Sequence, residues 1–169
     1  MAKWQLPLVQ SERYEFVEVT EEGIEHIAQN LRPVDQEEAF ATFGHRRYLD
    51  DIKLSVAASD SVVMAISAFS EPVAVLGVST VSLLYNTGCP WMLATPHVDR
   101  YRRAFIEAGR FYTQSMLSEY DALENHVDAR NVKSIAWLKR IGFQISAPEP
   151  FGVMGYPFHP FRIERSTHV

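Results

Sequence analysis

Two β-branched runs limit the fold more than any other feature: "SVVMAISAF" at residues 61–69 and "PVAVLGVSTVSLL" at 72–84, parted only by Ser70 and Glu71. A gap that short forces neighbouring antiparallel strands. The apolar residues in both runs barely alternate, so each strand must be covered on both faces. "NTG" at 86–88 supplies the next turn, and "PWMLAT" at 90–95 reads as the third strand. From Asp99 to Tyr120 the period changes. Tyr101, Phe105, Ala108, Tyr112 and Met116 recur three or four apart, which predicts one long helix packed on the sheet. Gly109 lies on the same side of that helix and reads either as a point of close approach or as a tolerated residue.

"LENHVDA" at 123–129 reads as a strand, and "NVKSIAWLKRIGF" at 131–143 as a helix. Val132, Ile135, Leu138 and Ile141 form the predicted buried stripe of that helix, and Gly142 ends it. Upstream, "YEFVEVT" alternates like a strand. "TEEGIEHIAQNLRP", "VDQEEAFATFG" and "YLDDIKLSVAAS" read as helical pieces, with Thr20 as a cap and Gly44 as a break. Downstream, "FQISA" is a short β segment, "PEPFGVMGYPFHP" reads as loop, and "FRIER" as an edge strand. The expected class is α/β: one domain with a mixed, mostly antiparallel central sheet and helices on both faces. Its expected limits are 14–165, between an N-terminal extension over 1–13 and a tail over 166–169.

Composition narrows the function classes. A chain of 169 residues with 47% hydrophobic residues can bury one sizeable core. A net charge of -5, without an extended basic or stacking platform, makes nucleic acid an improbable partner. The only cysteine, Cys89, excludes an internal disulfide and a cysteine-based zinc site, and reads as a filler of apolar space. His126, Asp128 and His159 have no short metal-ligand spacing, so no metal is expected. No apolar run reaches the roughly 20 residues that span a bilayer. A soluble cytoplasmic protein is expected.

The junction "PWMLATPHVDRYRR" joins a strand to a helix start, where unpaired amides and the helix dipole favour phosphate. His97, Arg100, Arg102 and Arg103 add cationic or titratable groups there. They could equally cover an exposed helix face. Asn131, opening the last helix, can cap it, contact a ligand, or do both. Glu124, His126 and Asp128 share one side of their strand. His126 is the candidate base, because an imidazole titrates nearest neutral pH, and it reads otherwise as a structural histidine.

Asn131, Ser134, Gly142 and Phe143 resemble the last cofactor-binding motif of the GNAT superfamily of N-acetyltransferases, and the order of elements over about 14–165 is similar. The resemblance implies acetyl-CoA or CoA lying between the strands that end near Thr95 and Asp128. Its pantetheine arm would pair with backbone from Met92 through Leu93 to Thr95, its pyrophosphate would rest at 97–103, and Asn131 would meet the pantetheine side. The acceptor would be an unidentified primary amine. "PWMLATPHVDRYRRAF", "HVDARNVKSIAWLKRIGF" and "PFGVMGYPFHPF" together resemble a subgroup from short-tailed phages described as internal virion or core proteins. That likeness implies residence in the host cytoplasm or the virion, and a phage virion protein as the alternative partner. Two positions depart from the superfamily. Arg103 and Phe105 stand where small residues usually approach the pyrophosphate, and Leu138 stands where a tyrosine usually protonates the leaving thiolate.

Overall fold

The computed structural model describes residues 14–166; the extension over 1–13 and the last three residues of the tail lie outside the described residues. The two β-branched runs form β2 (Ser61–Ser67) and β3 (Pro72–Ser82), antiparallel, with Ala65 opposite Ala74. β1 (Tyr14–Val17) adds to the outer edge of β2, and β4 (Thr87–Ala94) follows β3. β4 starts earlier than the sequence suggests, because Gly88 and Cys89 already pair with Thr80 and Ser79.

Three helices precede β2. α1 (Glu21–Gln29) is capped by Thr20, whose Oγ1 accepts the Gly23 N–H at 3.1 Å. α2 (Pro33–Phe43) opens with a proline, which loses no bond at that position, and closes at Gly44 with φ of 75°, a conformation that suits glycine. α3 (Tyr48–Ala58) leads into the sheet. Ile24, Ile27, Leu31 and Ile52 from this side pack on Met64 and Val75.

The opposite face receives α4 (Arg102–Glu119), which follows a 3-10 turn over Pro96–Tyr101, and α5 (Val132–Ile141). Phe105, Ala108, Tyr112, Met116, Leu138 and Ile141 meet Val63, Ala65, Leu76 and Val78 there. Successive residues 63, 64 and 65 thus go to alternate sides, and both sides are apolar. The predicted stripe of α5 needs one correction. Val132 is 69% exposed, because the first turn of α5 stands at the mouth of a cleft instead of against the core.

β5 (Ala122–Asp128) returns parallel to β4 after the α4 crossover. The tail over Glu149–Pro160 is a hairpin, not a loop: β7 (Glu149–Phe151) turns through Gly152 and Gly155, with φ of 70° and 63°, into β8 (Tyr156–Glu164). Pro157 and Pro160 hide this strand in the sequence because they lack ladder donors. β8 is internal, pairing with β5 on one side and with β7 and the short β6 (Gln144–Ile145) on the other. The eight strands make one mixed, mostly antiparallel sheet in the order β1-β2-β3-β4-β5-β8-β6, with β7 also on β8. Among the described residues, no helix is long and apolar enough to cross a membrane.

Candidate functional site

The parallel pair at the centre of the sheet is short. β4 and β5 match only at Thr87–Ala122 and Gly88–Leu123, after which the two strands part. Pro90 has no N–H to continue a ladder. Its carbonyl is instead taken by the Asn125 side chain, whose Nδ2 donates at 3.0 Å across the gap.

Residues 90, 92 and 94 turn their backbone groups toward this gap, since antiparallel pairing directs alternate residues away from β3. Ala94 is already engaged by α2: its N–H donates to Asp35 Oδ2 at 3.1 Å, and its carbonyl accepts the Arg32 N–H at 2.9 Å. Met92 lies between the two closed positions. Its N–H and C=O are the backbone pair that β4 offers to a ligand carrying amides. Leu93 points its amide to β3 opposite Val75, and Thr95 donates its N–H to Val73 at 2.8 Å. Of the stretch from Met92 to Thr95, Met92 is thus the residue whose N–H and C=O face the gap and are not taken up by β3 or α2 among the described residues.

A cavity of about 440 Å³ passes beside the gap, its wall mostly apolar. Asp35, Glu38 and Asp51 bring carboxyls to it, and Asn125, His126 and Asn131 bring polar groups from the β5 side. Asp35 is held by Arg32 Nε and Nη2, both at 2.8 Å, although burial pushes its carboxyl above the usual range. Asp51 is also raised by burial, and its Oδ2 has no hydrogen-bond partner among the described residues; His45 Nδ1 stands 3.7 Å away. Glu38 remains partly exposed as a residue, yet its carboxyl is enclosed. Burial, and then Asp35 and Asp128, push it up to about 7 against hydrogen bonds from Asn131 and the Asp128 amide.

His126 lines the same cavity, but its ring stacks on Phe151 at 4.0 Å between centroids and its Nε2 lies 3.3 Å from Glu149 Oε1. Asp128 is buried at the end of β5. Burial opposes its charge, yet hydrogen bonds from Arg130 hold it below the ordinary range. Cys89 lines the cavity with a thiol pushed up to about 11 by burial, with Glu124 adding, so it is protonated at neutral pH.

A second cavity of about 830 Å³ opens between α4 and α5 and shares Arg32, Met92, Phe105, Ser134 and Trp137 with the first. Arg32, Arg102, Arg103, Arg110, Lys133 and Arg140 line it, against Asp99 and Glu107. Arg103 pairs with Glu107 at 3.4 Å, and Lys133 reaches across the cleft mouth to Asp99 Oδ2 at 2.7 Å. Gly109 lets the helices approach: a Cβ there would sit 2.7 Å from the Trp137 ring, whose Nε1 donates to the Phe105 carbonyl at 3.2 Å.

The structure thus gathers Met92, Arg102 and Arg103 on the cation-lined cleft, and Asn131 and His126 on the adjoining cavity. His97 turns away to Glu71 at 3.0 Å, and neither it nor Arg100 lines the cleft. Arg110, Lys133, Arg140 and Glu38 escaped sequence reasoning. A signal for the cations was present: 103 and 110, and 133 and 140, are each seven apart, which puts each pair on one face of its helix. Glu38 had no signal of that kind. Among the described residues, no group of three or more His, Cys, Asp or Glu side chains is placed to hold a metal ion.

No protein-family model and no curated relative matches the chain. Solved structures do. A GNAT-family acetyltransferase from Bacillus anthracis superimposes with a TM-score of 0.71 at 12% identity, over 94% of this chain and 99% of that one. An acetyltransferase from Agrobacterium tumefaciens gives 0.66 at 14%, over 95% and 96%. The spermidine N-acetyltransferase from Vibrio cholerae, solved with CoA and spermine, gives 0.64 at 11%, over 92% and 97%. This chain therefore has the fold of the GNAT-family acetyltransferases.

Proposed function

We propose that the protein is an acetyl-CoA-dependent N-acetyltransferase acting on a primary amine. The observation that carries this reading is the parted β4–β5 edge, where Met92 presents an N–H and C=O that are free among the described residues, beside a cleft lined by six cations, of which only Arg32 is bound to Asp35. Amide groups suit that edge, and phosphates suit Arg102, Arg103, Arg110, Lys133 and Arg140. CoA carries both along one extended molecule. The carboxyls of Asp35, Glu38 and Asp51 in the adjoining cavity favour an acceptor that enters as an ammonium.

When bound, acetyl-CoA supplies an activated thioester, so that an ammonium and the thioester yield an amide, a free thiol and one proton. The chain's part is to seat the acyl donor along Met92, exclude water with the apolar wall, and accept a proton from the amine. Leu138 is buried and has no proton to give the thiolate; solvent or the acceptor fills that role.

Calorimetry with acetyl-CoA, followed by thiol release with mixed primary amines, tests the reading. Binding in the micromolar range with amine-dependent thiol release is expected; no heat at millimolar acetyl-CoA refutes it. The rival is a non-catalytic phage virion or assembly protein with the same fold. Leu138 and the Asp99–Lys133 bridge across the cleft mouth favour it. Tight CoA binding without thiol release for any amine, together with recovery in purified virions, would select it.

A further inference from the structure

Resting on the acyl-transfer reading, we infer that Glu38 takes the proton from the incoming ammonium and that Asn131 is its positioning residue. Asn131 is 4% exposed, and its amide is already engaged: Oδ1 accepts the Ser134 N–H at 3.2 Å, and Nδ2 donates to Glu38 Oε2 at 2.9 Å. Little of it is left for a cofactor. The cap therefore anchors a carboxyl from α2, across 93 residues of chain, at the rim of the β4–β5 gap.

The other carboxyls and the histidine at this place each stand beside a partner, although Asp51 Oδ2 makes no hydrogen bond among the described residues. Asp35 is clamped by Arg32 and Ala94, and Asp128 by Arg130. Asp51 stands against His45, and His126 is stacked on Phe151 and directed at Glu149. Glu38 lines the cavity with no cationic partner among the described residues. An enclosed carboxylate without a counter-charge is costly, and an ammonium is the ligand that relieves the cost.

The charged groups facing Glu38 act in one direction, against the Asn131 hydrogen bond, which favours the carboxylate. Asp35 on its own helix and Asp128 at the end of β5 both raise its proton affinity, and Arg32 and Arg130 are spent on those two carboxylates. Burial is the largest contribution, and with these charges it brings the carboxyl to about 7, where a base is both deprotonated and able to accept. The step is a single proton transfer: the ammonium N–H bond breaks, its electron pair stays on nitrogen, and the Glu38 carboxylate becomes a carboxylic acid. The nitrogen is then free to attack. Glu38 later returns its proton to solvent.

The test has two arms. Without any ligand, carboxyl-carbon NMR of glutamate-labelled protein should show one resonance titrating near pH 7 that is absent from Glu38→Gln. With acetyl-CoA and a simple primary amine, kcat/KM should rise through about pH 7, and Glu38→Gln should lower it by about 10²–10⁴-fold while acetyl-CoA affinity stays within about threefold. Glu38→Asp guards against a folding defect: it should keep the pH limb at reduced rate. Asn131→Ala removes a donor that favours the charged carboxylate, so the limb should move to higher pH, which loss of a cap alone would not do. If Glu38→Gln keeps the wild-type limb, or if His126→Gln removes it while no glutamate titrates near 7, the assignment is wrong. If the wild type binds no acetyl-CoA, the acyl-transfer reading falls and this role with it; if acetyl-CoA binds and thiol is released, only the role of Glu38 is in question.

Discussion

Replacing Glu38 by glutamine should make the folded protein more stable at neutral pH than the wild type, and the gain should vanish in acid. The carboxyl moves from an ordinary 4.5 in the unfolded chain to about 7 in the fold. Because the folded value is the higher one, the native state prefers the protonated form. The contribution is fully present below about pH 4.5 and is lost as pH rises through about 7. A shift of that size corresponds to about 3 kcal/mol lost between those limits. For a domain of this length that is roughly 6–12 °C in Tm. Glutamine cannot ionise, so the difference between variant and wild type should open across this window and stay constant above about pH 8. Glutamine also has one acceptor oxygen where the carboxylate has two, which adds an offset independent of pH; the slope is therefore the readout. Urea unfolding at half-unit intervals from pH 4.5 to 8 measures it. Parallel stability curves for the two proteins would refute the enclosure of this carboxyl and the argument built on it.

Asp99→Asn should release Lys133 and remove a negative charge from the cleft mouth, tightening acetyl-CoA about three- to tenfold at low salt and less at high salt, as titration calorimetry would show. Gly109→Ala forces the Trp137 ring away from its seat, so a loss of about 1–3 kcal/mol and a shift in tryptophan emission are expected in chemical denaturation. Cys89 should resist alkylation, since a thiol pushed up to about 11 leaves about one part in a thousand as thiolate at pH 8; rapid modification of the folded protein by iodoacetamide would contradict its enclosure.

Local pattern was enough to read the α4 face, because 3.6-residue periodicity places Phe105, Ala108, Tyr112 and Met116 together whatever they pack against. It was also enough for Thr20 as a cap, and for Asn131 as the opening of α5, since a cap acts on amides two or three residues ahead. The antiparallel β2–β3 pair followed from a turn too short for any other connection. The tail hairpin was missed because its prolines and glycines carry loop chemistry, while its strand character comes from pairing with β5. Three features belong to the tertiary structure alone. Ala94 is closed by Asp35 from 59 residues away, Met92 is left open by the parting of β4 from β5, and Glu38 meets Asn131 across 93 residues. A propensity or a period describes neighbours along the chain. The proton affinity of Glu38 depends on solvent removed and charges brought near by α2, β5 and α5 together, and only the packed fold sets those distances.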